Sequence, residues 1–240
     1  MAVAAALLLR TFAVEVFRIP SASMAPTLLA GDQVVVWKGA YGLKLPLGGP
    51  WLLARPVRRG DVIVFRHPRQ PDRDFVKRVV GLPGDVVEVR DGTLHVNGVP
   101  QPTEAGGEAR YQERSEQSGR WWSDTCLRFL ETLARGPVPP PRGAGREAES
   151  EAWRAVEGAG VVRHEMLRCR QPRSDDREGP WAPVPPGHLF VLGDNRDRSQ
   201  DSRSAGGWQV PLDNVEGRVE LVLLRWTGAP RIERLFKPIE

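Results

Sequence analysis

Turn-formers interrupt this chain too often for a bundle of helices. Twenty-five glycines and 22 prolines are scattered through 240 residues, and a proline inside a helix removes a backbone donor and clashes with the preceding turn. Between these breaks lie short runs rich in β-branched residues. Gln33–Trp37, Asp61–Phe65, Phe75–Val80, His188–Leu192 and Gly217–Trp226 read as strands. Asp85–Arg90 and Thr93–Val96, joined by Asp91-Gly92, read as a hairpin, and Asn97-Gly98 marks the next turn. Hydrophobic residues make up 40% of the chain, enough to fill a core. The pattern predicts a mainly β domain.

One stretch departs from it. From about residue 103 to 177 the sequence turns rich in Arg, Glu, Gly and Pro, and the run GPVPPPR at 136–142 excludes a helix or an inner strand there. Ser123–Ala134 and Glu147–Val156 read as short helices. The chain then divides into an N-terminal apolar segment (1–17), a first part of the β core (18–102), an inserted variable subdomain (103–180) and a second part of the core (181–240).

The N-terminal segment runs apolar from Met1 to Val14 apart from Arg10 and Thr11. Its uninterrupted part is nine residues long, against roughly 20 for a membrane-spanning helix. No basic region precedes it, as one would in a cleavable signal. It reads either as a buried helix of a soluble domain or as the C-terminal half of a membrane anchor whose beginning lies upstream, and the second reading is preferred. Gly39–Leu53, apolar with one charge, is a loop that packs on the core or dips into lipid.

Charge and cysteine content exclude several classes. The net charge is +4, but the arginines alternate with acids and form no basic stripe, which argues against a nucleic-acid partner. Cys126 and Cys169 form no CxxC, and the four histidines show no HExxH spacing, so no metal site is expected. The even cysteine count leads to the expectation that Cys126 and Cys169 form a disulfide, given an extracytoplasmic setting.

Three segments carry chemistry. Only Lys38, Lys44, Lys77 and Lys237 are lysines among 34 basic residues. Arginine stays protonated in proteins whereas a buried lysine can lose its proton, so base chemistry points to one of these four. In the predicted strand Phe75–Val80, alternation puts Lys77 on a face with Phe75 and Val79. Burial there would lower its pKa from near 10.4 by as much as about 3–5 units; a lysine snorkelling from a strand edge is the plainer reading of the fragment alone. Ser21-Ala22-Ser23-Met24 forms a loop after the apolar segment, of a kind that more often caps or turns than reacts. Gly193–Arg203 (GDNRDRSQDSR) is too polar for a strand, and its arginines would oppose a bound cation.

Taken together, four stretches resemble bacterial type I signal peptidases, in that family's order. They are Ile19–Asp32 (IPSASMAPTLLAGD), Arg59–Phe65 (RGDVIVF), Phe75–Asp85 (FVKRVVGLPGD) and Gly193–Arg203. The likeness covers roughly residues 8–102 and 183–226, and neither the insertion nor the last residues take part. The resemblance implies a membrane-bound serine endopeptidase that cuts signal peptides from exported preproteins with a Ser–Lys dyad. Ser23 would be the nucleophile and Lys77 the general base. The Ser21 hydroxyl and the Ser23 backbone N–H would form the oxyanion hole, and Ser199 would orient Lys77. Asp194, Arg196, Asp201 and Arg203 would be ion-pair residues supporting the site. The implied fold is a mostly antiparallel β-sheet core with an inserted subdomain, and no cofactor is implied. The expected substrates are secretory preproteins with small residues at the first and third positions before the cut. The implied place is the cell (inner) membrane, anchored by the N-terminus in contact with lipid, with the catalytic domain on the extracytoplasmic side.

Two rivals compete with that reading. A self-cleaving repressor of the same Ser–Lys type would need a DNA-binding helix-turn-helix, and only about twenty residues precede Ser23. A tethered domain that merely binds peptide strands would not need every one of these residues.

Overall fold

The computed structural model describes residues 14–42, 54–114, 119–140, 145–157, 160–169, 178–204, 206–226, 230–231 and 234–239. The elements are β1 (Val14–Arg18), β2 (Asp32–Trp37), β3 (Val62–His67), β4 (Gln70–Gly81), β5 (Val87–Arg90), β6 (Thr93–Val96), β7 (Val99–Pro100), β8 (Thr103–Arg114) and β9 (Trp121–Ala134). There follow the helix α1 (Arg146–Glu157), β10 (Val161–Arg168), β11 (His188–Leu192), β12 (Val210–Pro211), β13 (Val215–Trp226), β14 (Pro230–Arg231) and β15 (Lys237–Pro238).

A large sheet takes the order β1-β2-β13-β3-β4-β11-β12, with β14 and β15 also on β13; β5-β6-β7 and β10-β9-β8 form two smaller sheets. The ladders are antiparallel throughout. Alternation does the local work. In β2, Val34 and Val36 are fully buried while Trp37 is exposed, so one face of the strand meets the core. The expected hairpin forms, with Asp91 (φ 50) and Gly92 (φ 75) taking the left-handed backbone that its tight turn requires.

Among the described residues, four apolar clusters hold these layers, three of them in and around the large sheet. Ile19, Met24 and Leu28, from the loop between β1 and β2, pack on Val34, Val36, Val62, Val64, Val219 and Val222. Ile63, Phe65, Val79, Leu189, Val191 and Trp208 form a second cluster. A third joins β4, β11, the small hairpin sheet, α1 and the inserted sheet through Val80, Phe190, Leu94, Val156, Leu133 and Val162. Burying one such side chain fully is worth roughly 1.5–3 kcal/mol.

The structure differs from the sequence reading in two places. Ser123–Ala134, expected as a helix, lies in β9, the centre of the inserted sheet, paired with β8 on one side and β10 on the other. Two ladders of backbone hydrogen bonds override its helical spacing of leucines, and Cys126, Leu133 and Ala134 are buried as strand residues. Val14–Phe17, grouped with the apolar N-terminal segment, belongs to β1 and pairs with β2 from Val14↔Trp37 to Arg18↔Gln33. The rest of that segment, and residues 43–53 of the apolar Gly39–Leu53 loop, lie outside the described residues. Among the described residues, no helix is long and apolar enough to cross a membrane.

Candidate active site

Strand β11 ends at Leu192, opposite Arg78 on β4, and the chain turns away at Gly193. The loop joining β1 to β2 is closed at its base by Ile19 N–H donating to Asp32 O and Gly31 N–H donating to Ile19 O, each at 2.8 Å. Met24 and Leu28 anchor it in the core, which leaves Ser23 at its half-buried lip. Lys77 Nζ lies 2.8 Å from Ser23 Oγ and also donates to Val76 O at 2.9 Å. The lysine is 3% exposed, and its amine sits 5.3 Å from the centroid of the Phe75 ring. Burial drives its pKa from 10.5 to about 8, and the nearby Asp201 and Asp194 carboxylates pull it back only in part. An amine that sheds its proton near pH 8, in hydrogen-bond reach of a hydroxyl, has the geometry and the basicity of a general base. Ser21 Oγ lies 3.4 Å from Ser23 Oγ.

The Gly193–Arg203 loop grips the other side of Ser23. Asn195 donates its backbone N–H to Ser23 O and its side-chain amide to Ala22 O, both at 3.1 Å. A Cβ on Gly193 would stand 2.2 Å from Ser199 Oγ and 2.5 Å from Ser23 O, so only glycine fits this approach. Asp201 pairs with Arg203 at 2.9 Å and accepts the Gly193 N–H at 3.0 Å. Asp194 accepts from Arg78 Nε at 2.9 Å and Nη2 at 2.8 Å, a fork fully out of solvent; Thr27 donates to the same carboxylate. Burial pushes the Asp194 and Asp201 carboxyls up, but Arg78 and Arg203 outweigh it and hold both below their ordinary range. Arg196 forks onto Glu131 of β9, and Arg203 donates to the Arg196 carbonyl.

Ser23 and Lys77 are therefore brought together, with Ser21 beside them. Ser199 is fully buried against Gly193, and its hydroxyl makes no hydrogen bond among the described residues, to Lys77 or otherwise. The four ion-pair residues do cluster, though the partners of two of them lie outside their own loop.

Sequence reasoning missed Arg78, Thr27, Asn195, Glu131 and His164. Arg78 had a signal: a charged side chain on the opposite face of an apolar strand, 0% exposed, must find a carboxylate. Glu131 and His164 had none, because only the folded insertion carries them here. The expected Cys126–Cys169 disulfide is formed. Ala22 and Ala25, on either side of Ser23 in the sequence, pack on Tyr111, Cys126, Leu167 and Cys169. Leu167 N–H donates to Asp194 O at 2.8 Å and Cys169 N–H to Asp197 Oδ2 at 2.6 Å. One cluster of metal-ligand types occurs among the described residues, Asp124 with Cys126 and Cys169, and both of its sulfurs are tied up in the disulfide.

The family model described as signal peptidase, peptidase S26 matches residues 1–226. Signal peptidase I of Pseudomonas aeruginosa is similar, 36% identical over 95% of this chain and 71% of that protein. The Aquifex aeolicus signal peptidase I is 34% identical over 91% of this chain and 78% of that protein. A solved signal peptidase I from Enterococcus faecalis is 27% identical, covering 68% of this chain and 97% of that one, at a TM-score of 0.32.

Proposed function

The chain belongs to the signal peptidase family, peptidase S26, and from that premise we propose that Ser23 and Lys77 are the dyad with which it cleaves. It is a serine endopeptidase that removes signal peptides from secretory preproteins. The observation that carries the residue assignment is the 2.8 Å contact between Ser23 Oγ and an amine whose pKa burial lowers to about 8.

With that pKa, roughly a tenth of the lysine is neutral at pH 7. Neutral Lys77 takes the Ser23 proton as Oγ attacks the scissile carbonyl, and the resulting ammonium protonates the departing amine. Water, deprotonated by the same amine, then hydrolyses the acyl-enzyme and frees Ser23. In each tetrahedral intermediate the oxyanion accepts from the Ser23 N–H and the Ser21 hydroxyl. The 3.4 Å separation of the two hydroxyls leaves Ser21 weakly engaged and free to turn toward developing charge. Ser199 orients Lys77 once substrate is bound. Its buried, unbonded hydroxyl supports that reading, since such a group without a partner is costly. Asp194, Arg196, Asp201 and Arg203 keep the Gly193 loop against Ser23.

The family is membrane-associated. The finer reading is an N-terminal anchor in the cell membrane with the β core on the extracytoplasmic side in contact with lipid; the Cys126–Cys169 disulfide supports it, because such bonds persist in oxidising compartments. The preferred preproteins carry small residues at the first and third positions before the cut.

Cleavage of a purified preprotein tests both assignments. Ser23→Ala is expected to reduce the rate to background, and a β-branched residue at either substrate position to stop cleavage of that preprotein by the unaltered enzyme. Processing by the Ser23→Ala protein would remove the nucleophile assignment, and unimpeded cleavage of the bulky substrates would remove the specificity.

A further inference from the structure

Five ionisable side chains meet in one dry cluster where the inserted sheet docks on the catalytic loop. Arg78, Asp194 and Arg196 come from the core, Glu131 and His164 from adjacent strands of the insertion, and none is more than 5% exposed. Glu131 on β9 and His164 on β10 are directly paired in register. His164 Nε2 lies 3.3 Å from Glu131 Oε2 and 3.6 Å from Asp194 Oδ1. Burial, with Arg78 and Arg196 close by, keeps the imidazole neutral. Two guanidinium groups then face two carboxylates, and the cluster sums to zero.

A buried ion pair returns little more than its desolvation costs, so an apolar pair would stabilise this junction as well. What the ions add is direction. The Glu131 fork fixes Arg196, which follows Asn195, whose two donors hold the carbonyls of Ala22 and Ser23. The Arg196 carbonyl in turn accepts from Arg203, the partner of Asp201. A chain of contacts thus runs from the inserted sheet to the backbone that aims Ser23.

We propose that Glu131 is a positioning residue for the cleavage reaction: through Arg196 it fixes the loop that grips the Ala22 and Ser23 carbonyls. The insertion is then a working part of the site. The proposal rests on the Ser23–Lys77 reading.

Full-length Glu131→Gln protein, assayed on one preprotein across pH, tests it beside Ser23→Ala and the unaltered enzyme. The expected kcat falls on the order of 30- to 100-fold with KM within about threefold, because a displacement near 1 Å is enough for such a loss. The pH dependence should shift as well. The groups around Lys77 and Glu131 are Arg78, Asp194, His164, Arg196, Asp201 and Arg203, together with His67 beside Lys77, whose pKa burial lowers. Losing the Glu131 charge lets Arg196 turn toward Asp194 or Asp201, which weakens the negative field on the amine, so the rate should rise through a lower pH than in the parent. Glu131→Asp, which keeps the charge, should recover much of kcat and the parental profile. The double variant Glu131→Gln/Arg196→Gln strands no charge; it is expected to melt cooperatively and stay as slow as the single variant, and it carries the test if the single variant does not fold. Either folded variant with kcat within about threefold of the parent and an unmoved profile overturns the proposal. Activity in Ser23→Ala would instead overturn the dyad beneath it.

Discussion

Lys77 is placed where a charged amine is least welcome, and on the proposed reading its protonation state ties stability to activity. Its pKa is about 8 when folded against 10.5 as a free side chain. Between those values the unfolded chain holds more protons, so stability rises with pH from about 8 to about 10.5. Below that window the buried charge costs on the order of 3 kcal/mol. Lys77→Met, inactive but uncharged, is therefore expected to unfold at higher urea than the parent at pH 7, with the gap closing as pH approaches 10.5. Equal urea midpoints at pH 7 would mean that burial does not depress this amine. At this scale the sequence was informative about residues whose chemistry stands out locally. Four lysines among so many arginines singled out Lys77, and a Pro-bounded loop offered Ser23. Glu131 looked like any surface acid, since nothing nearby in sequence reveals that β9 carries it into a dry junction.

Among the elements, β9 shows both the reach and the limit of pattern reading. The core strands β2, β3 and β11 were legible because they alternate or run apolar between turn residues. In β9, leucine spacing and a strand's ladder compete, and the ladder is set by partners 7 to 41 residues away along the chain. The same separation makes its disulfide valuable. Cys126–Cys169 spans 43 residues, a loop whose closure is worth about 3–4 kcal/mol in the chain-entropy account. It also sits against Ala22 and Ala25. Replacing both cysteines with serine is expected to lower the urea midpoint accordingly and to slow cleavage, with the larger effect on stability. Unchanged stability in the double variant would show that β8 and β10 alone hold β9 in place.

At the level of the molecule, the core brings Ser23, Lys77 and the Gly193–Arg203 loop together, and the insertion closes over that loop through Leu167, Cys169 and Glu131. The proposed anchor would set this site at a membrane surface, where exported chains arrive. The central claim is that one lysine, by burial, is the base. Cleavage of a single preprotein by Lys→Arg variants at positions 38, 44, 77 and 237 under identical conditions tests it most directly. Arginine keeps length and charge but cannot give up its proton. Lys38 pairs with Glu15 at 2.6 Å in a partly exposed bridge that arginine can also make, and Lys237 is exposed. The expected result is a loss on the order of 10³-fold or more for Lys77→Arg, with the other three within about threefold of the parent. Near-parental cleavage by Lys77→Arg would contradict the Ser–Lys account outright.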